Sequence, residues 1–257
     1  MKRSDPYARW SGGAQPYLDL PETIAVGPFA IGRYGGSTRA GADKNEDGYL
    51  VLGSPERRWE FAVIVDAHSS SESAELVLEE IGNRLPEIEN ILNGDLAETF
   101  SRLQAAIDAM FRDASFLERC RHISGECSCL IVCRKDRFLW WYSIGDCMLF
   151  AIHPDLTAFG QTMLNTRNFF EWVGRENTFD DEVPCYSSGI RRLRPGMNLL
   201  VMATDGFVEP DIDYVQAIQD WYPAHSLQTR IGDFLRTLHA AGTRDSTTIL
   251  AWAATVD

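Results

Sequence analysis

Six acidic residues stand beside apolar runs of strand length. Glu46 and Asp47 precede Tyr49–Leu52, Asp66 follows Phe61–Val65, and Asp146 separates two runs. Asp205 follows Asn198–Ala203, and Asp245 precedes Thr247–Ala253. Any one of them is an ordinary turn or cap residue, because Asp beside Gly suits a tight turn. Taken together they have a second reading. If the strands belong to one core, their ends converge, and converging carboxylates repel one another unless a hard cation neutralises them. Mg²⁺ and Mn²⁺ accept such oxygen ligands. Two ions about 3.5–4 Å apart would bridge and activate a water for attack at phosphorus.

The elements that must carry these acids are legible in outline. Residues 1–24 contain Pro6, Gly12, Gly13, Pro16 and Pro21 without sustained periodicity, which predicts an irregular N-terminal arm. Ala25–Arg33 and Tyr49–Leu52 read as short strands around a polar, Gly-rich loop, Gly35–Gly48. Phe61–Val65 reads as a strand buried on both faces. Ser69 and Glu72 form a capping-box pattern ahead of Leu76, Val77, Ile81, Leu85, Ile88 and Leu92, which recur at helical spacing. Two long helices are expected, over 70–92 and 95–118.

Three strands follow, Cys127–Arg134, Phe138–Ser143 and Cys147–His153. The turns between them are Lys135-Asp136 and Gly145-Asp146, so short that successive strands are expected to pair antiparallel. Residues 154–190 are polar and aperiodic, as a functional loop or flap would be. A strand over Asn198–Ala203, helices near 211–220 and 226–241, and a final strand over Thr247–Ala253 complete the chain. Strands and helices occur in blocks, which predicts an α+β fold with antiparallel sheet.

Composition narrows the function classes. The 257 residues carry 24 Lys and Arg against 37 Asp and Glu, a net charge of −13. Nucleic-acid and anionic-membrane binding need a broad basic surface and are set aside. Hydrophobic residues make up 45% and charged residues 24%, as in a folded domain. No composition break divides 25–257, so one domain is expected there. No apolar run exceeds six residues, and runs such as Phe138–Tyr142 span five, far short of the roughly 20 a membrane helix needs. Lys2-Arg3 is followed by Ser4-Asp5-Pro6 and no apolar run, unlike a secretory signal. The cysteines at 120, 127, 129, 133, 147 and 185 form no C-x-x-C pair. Reduced, mostly buried thiols and a cytoplasmic location are the expectation. His122, His153, His225 and His239 carry no motif and read as surface or packing residues.

The acidic positions fall within six short motifs: N-E-D at 45–47, V-D-A-H at 65–68, G-E-C-S at 125–128, I-G-D-C at 144–147, A-T-D-G at 203–206 and R-D-S-T at 244–247. Their order and spacing resemble the metal-dependent protein phosphatases, the type 2C serine/threonine family, over about residues 25–255. Leu193–Glu209 resembles the family's approach to its S-D-G motif almost throughout.

The resemblance implies a four-layer α-β-β-α sandwich of two antiparallel sheets flanked by helices. It also implies hydrolysis of phosphoserine and phosphothreonine in proteins by a metal-bridging hydroxide, without a covalent phosphoenzyme. The cofactor would be two, and as many as three, Mn²⁺ or Mg²⁺ ions. By motif position, Asp66 would bridge the ions, with the Ala67 carbonyl, Asp205, Asp245 and Glu46 or Asp47 completing two shells and Asp146 serving a third ion. His68 matches the residue proposed as general acid.

The pattern departs from the family at several places. Ala42 stands where the family carries a phosphate-gripping arginine, which leaves Arg39, and more weakly Lys44, for that task. Ala67, Ser69 and Ser70 replace glycines, and Ser246 replaces an asparagine. Two other readings therefore stand beside the first: a phosphatase-fold binding or regulatory module with weak catalysis, and a hydrolase of small phosphoesters.

Overall fold

Alternation along strand β5 (Trp59–His68) sets the layers. Phe61, Val63, Val65 and Ala67 join one buried cluster, while Ala62 and Ile64 join another. A strand whose two faces are both covered lies inside a sandwich. Fully burying each such aliphatic side chain contributes about 1.5–3 kcal/mol.

The computed structural model describes residues 7–54, 56, 58–209, 212–223 and 225–257. Among them, β5 lies in a sheet with β1 (Tyr7–Ser11), β4 (Gly48–Gly53), β6 (Glu126–Lys135), β7 (Phe138–Ile144) and β10 (Ser187–Arg192). The order is β1-β4-β5-β6-β7-β10, and the short β9 (Val173–Gly174) pairs with the start of β6. The second sheet runs β2 (Glu22–Val26), β3 (Phe29–Tyr34), β12 (Thr247–Val256), β11 (Gly196–Ala203) and β8 (Met148–Ile152). All the strand pairs are antiparallel.

Between the sheets lie Tyr49, Val51, Ile64 and Leu130 from the first, with Ile31, Leu149, Leu200 and Trp252 from the second. Helices α1 (Glu72–Asn83), α2 (Leu85–Leu92), α3 (Leu96–Phe111) and α4 (Ala114–His122) cover the outer face of the first sheet. After the short α5 (Pro154–Thr157), helices α6 (Tyr214–Asp220) and α7 (Leu227–Ala241) cover the second. This is the four-layer α+β sandwich. No helix among the described residues is long and apolar enough to cross a membrane.

Several local expectations are corrected. Each long helix is two: Arg84 separates α1 from α2, which has a proline in its first turn, and Asp113 caps α4 through Ser115 and Phe116. Ser69 does not cap α1. It takes a left-handed φ of 72°, Ser71 stands at the N-cap, and the Glu72 carboxylate accepts from the Ser124 N–H instead. The part of the N-terminal stretch that lies within the described residues supplies β1 and begins β2, while residues 1–6 fall outside them. A turn at Gly27 splits Ala25–Arg33 between β2 and β3. Finally, β8 does not pair with β7. The Gly145-Asp146 turn carries the chain from one sheet to the other, and β8 pairs with β11. Cys127, Cys129 and Cys133 do share one face of β6, all in the helix-side cluster.

Candidate metal centre

The strand registers bring the acidic positions to one end of the sandwich. Gly48 at the start of β4 lies opposite Val65, and Cys129 lies opposite both Val65 and Ile144. In the other sheet, Ala203 at the end of β11 lies opposite both Ile249 and Met148. Asp47, Asp66, Asp146, Asp205 and Asp245 flank those pairs.

Asp66 continues the inward parity of Ala62 and Ile64, so its carboxylate enters the seam between the sheets at the point where apolar filling stops. One carboxylate oxygen from each of Asp66, Asp146 and Asp205 lies within 4.8 Å of the others. Asp66 is buried, and its Oδ2 accepts the Asp205 backbone N–H at 3.2 Å. Asp205 Oδ1 is buried and has no hydrogen-bond partner. Asp245 is exposed as a whole residue, with its carboxyl facing Asp205.

Burial, then the charges of Asp47, Asp205 and Asp245, push the Asp66 carboxyl well above the ordinary carboxylate range. Burial of its carboxyl, then Asp205 and Asp47, raise Asp245 to about 8. Carboxylates in this arrangement need protons or a cation. The orphaned Asp205 oxygen and the all-oxygen donor set fit a hard divalent ion.

Asp47 is treated differently. It is fully buried, and three hydroxyls donate to it: Ser246 Oγ to Oδ1 at 2.8 Å, and Thr248 Oγ1 and Thr204 Oγ1 to Oδ2 at 2.7 and 3.0 Å. Burial lifts its pKa to about 7 against the pull of those hydroxyls. Asp47 thus ties the start of β4 to β11 and β12 across the seam. Ser246 is one of the ties.

Glu46 points elsewhere, into an ion pair with Lys44 at 2.8 Å, and Lys44 also donates to the Ser69 carbonyl at 3.0 Å. Ala67 is an ordinary strand residue opposite Cys127, so alanine is tolerated where the family has glycine. Positive φ falls on Ser69. His68 is exposed at the end of β5, its ring 6.5 Å from that of Trp172 in an edge-on arrangement.

Asp146 has two partners, Ser128 from the G-E-C-S motif and Arg167, which lies in no motif. Ser128 Oγ donates to Oδ1 at 2.8 Å, and Arg167 Nη2 donates to Oδ2 at 3.1 Å. The preceding Gly145 has φ 82°, and a Cβ there would lie 2.2 Å from Ser128 Oγ, so glycine is required for this approach. Ser128 stands opposite Asp66 on the β5–β6 ladder, which gave a register signal once the strands were placed. Arg167 gave none, because it lies in the aperiodic segment.

Beside the acids is a cavity of about 350 Å³ lined by Ala42, Asp43, Lys44, Glu46, Glu209, Arg244, Asp245 and Ser246. Lys44 and Arg244 are the cations lining it. The Arg244 Nε lies 3.9 Å from where a Cβ on Gly41 would stand, so its stem crosses the turn next to Ala42. Arg39 is exposed on the single 3₁₀ turn Thr38–Ala40 and does not line the cavity.

No family model matches the sequence, and no curated protein matches it. Solved structures do. Serine-threonine phosphatase 2C from Toxoplasma gondii aligns with a TM-score of 0.66 at 12% identity, over 96% of this chain and 99% of that one. The catalytic domain of the serine/threonine phosphatase PstP, in complex with two manganese ions, aligns with a TM-score of 0.59 at 13% identity, over 98% of each chain. RsbX in complex with magnesium aligns at 0.54 and 12%, over 91% of this chain and 100% of that one. At these identities the likeness shows the fold, which is that of the type 2C serine/threonine phosphatases.

Proposed function

We propose that this chain is a Mn²⁺- or Mg²⁺-dependent phosphomonoesterase acting on phosphoserine and phosphothreonine in proteins. The observation that carries the reading is the convergence of Asp66, Asp146 and Asp205 within 4.8 Å, with one buried carboxylate oxygen left unpartnered, on a fold shared with protein phosphatases. Bound divalent ions would supply charge against the phosphate and acidity that makes a water nucleophilic at neutral pH.

Asp66 and Asp205 would hold the ions at the centre, with the Asp245 carboxylate from the cavity side and the Ala67 carbonyl from the strand end. Asp47 and Glu46 work from behind: Asp47 locks the seam, and Glu46 fixes Lys44. The cavity receives the phosphate. Lys44 presents a point charge held in place, and Arg244 presents the planar fork that matches two phosphate oxygens, with Arg39 on the adjoining turn. His68, exposed at the end of β5, gives a proton to the departing alkoxide of serine or threonine.

The decisive assay is hydrolysis of p-nitrophenyl phosphate with Mn²⁺ and with EDTA, followed by phosphopeptides against small phosphoesters. Turnover should require the metal, and phosphopeptides should be preferred. No turnover with Mn²⁺ would identify a binding module on this fold. A preference for small esters would make the chain a small-molecule phosphatase.

A further inference from the structure

Arg167 contacts the acidic cluster yet belongs to none of the motifs. Its Nη2 donates to Asp146 Oδ2 at 3.1 Å and its Nε to the Asp146 carbonyl at 3.1 Å, so the guanidinium grips both the side chain and the backbone of one residue. Both partners are largely shielded, with 23% and 13% of their side chains exposed. The other Asp146 oxygen already accepts from Ser128. Of the three converging carboxylates, Asp146 therefore has a cation in place, whereas Asp205 keeps an orphaned oxygen.

The guanidinium does not hang on a free loop. Asn165 bonds the Leu149 N–H, Ser143 Oγ and the Cys147 carbonyl, and the Asn168 N–H bonds the Gly145 carbonyl. These contacts fasten residues 165–168 to the crossover that bears Asp146. On its far side Arg167 lies over the Phe169 ring at 4.9 Å. An ion ligated by Asp146 would stand within a few ångströms of this guanidinium, in a shielded setting where like charges interact strongly. Arginine stays charged throughout the accessible pH range.

We propose that Arg167 is a resident counter-cation of the metal centre. It reserves Asp146, so the first divalent ion is held without that residue, and an ion at Asp146 binds only after the guanidinium leaves. Arg167 thereby sets how many ions the site takes and how tightly. This inference rests on the divalent-ion reading above and is tested without turnover.

The experiment is calorimetric titration of the full chain with Mn²⁺ alone, in the wild type, Asp146→Asn, Arg167→Gln and the double variant. Asp146→Asn should cost little Mn²⁺ affinity in the wild type. It should cost about tenfold or more once Arg167 is glutamine, because the freed carboxylate then becomes a ligand. Arg167→Lys, a looser partner for a carboxylate, should give an intermediate cost and serves alone if the glutamine variant does not fold. An equal cost of Asp146→Asn whatever residue stands at 167 would overturn the proposal. A wild type that binds no Mn²⁺ would overturn the divalent-ion reading and this inference with it.

Discussion

Glu60 and Asp66 stand on one face of β5, six residues or about 20 Å apart, and the protein treats them in opposite ways. Both are buried, and both belong to the inward parity that includes Ala62 and Ile64. Directly across the ladder from Glu60 is Arg134, whose Nε and Nη2 reach its two oxygens. Arg134 also bonds the carbonyls of Arg58 and Asp136. Across from Asp66 is Ser128, and around Asp66 are further acids. One end of the strand closes a buried charge with a fork of matching geometry. The other gathers like charges and leaves an oxygen empty-handed. A fold able to build the first arrangement does not need the second for stability, and the metal site proposed above would account for it.

The largest expected effect follows from Asp66→Asn. Metal-dependent turnover should fall about 10³-fold or more, the several kcal/mol of transition-state stabilisation that a bound metal supplies. In EDTA the same variant should melt higher than wild type, since a buried carboxyl that must take up a proton among like charges is gone. Activity and melting temperature together check this, and a variant that loses both would make Asp66 a structural residue.

Arg134→Met probes the opposite end. It removes the fork that meets both Glu60 oxygens, a loss of about 3–5 kcal/mol in urea unfolding. Adding Glu60→Leu should recover most of it, because apolar pairs commonly replace buried ion pairs without cost. Turnover per folded molecule should not change. If Arg134→Met were harmless, the contrast between the two ends would collapse.

The pH dependence of stability gives a finer test. Asp47 titrates at about 7, Asp245 at about 8 and Asp66 well above the ordinary range, all raised in the folded state. Between roughly pH 4 and pH 8 the folded chain holds protons that the unfolded chain has released, so unfolding free energy falls as pH rises. The melting temperature in EDTA should therefore decline across that window and level off above it. Saturating Mn²⁺ should reverse the slope, because the ligands must be deprotonated to bind. A flat EDTA profile would mean that the acids do not feel one another.

Much of this was legible beforehand, and what was not has physical reasons. The eight apolar runs placed eight of the twelve described strands, and the flanking acids marked the end where the proposed site lies. The sheet switch at Gly145-Asp146 was hidden because a two-residue link looks the same whether it closes a hairpin or crosses a sandwich. The break at Arg84 was hidden because the apolar stripe continues through it from Ile81 to Leu85 and Ile88. Among the six acids, the sequence could not separate Asp47, met by three hydroxyls at the ends of β11 and β12, from Asp66, which has one backbone N–H and other acids around it. That distinction depends on partners up to 201 positions away. Arg167 and Arg244 were unreadable for the same reason: a guanidinium acquires its role from the fold's distant acids.

Asp47 supplies the smallest effect and an intermediate case. Its charge is met neither by a cation, as at Glu60, nor by other acids, as at Asp66, but by three hydroxyls. Each of those bonds is replaceable in part, since the carboxyl can shed charge by taking up a proton near neutral pH. Ser246→Ala removes the single donor to Oδ1 and should cost about 1–2 kcal/mol, the range for one buried hydrogen bond to an ionisable group. The cost should shrink below pH 6, where Asp47 is protonated in both variants. Because Ser246 also lines the cavity beside Asp245, KM for a phosphopeptide should rise modestly while Mn²⁺ affinity stays within about twofold, well short of a coupling between distinct sites. Urea unfolding at pH 5.5 and 8 reads the first effect and steady-state kinetics the second. A large, pH-independent loss of Mn²⁺ affinity in Ser246→Ala would move Asp47 from the scaffold into the metal shell.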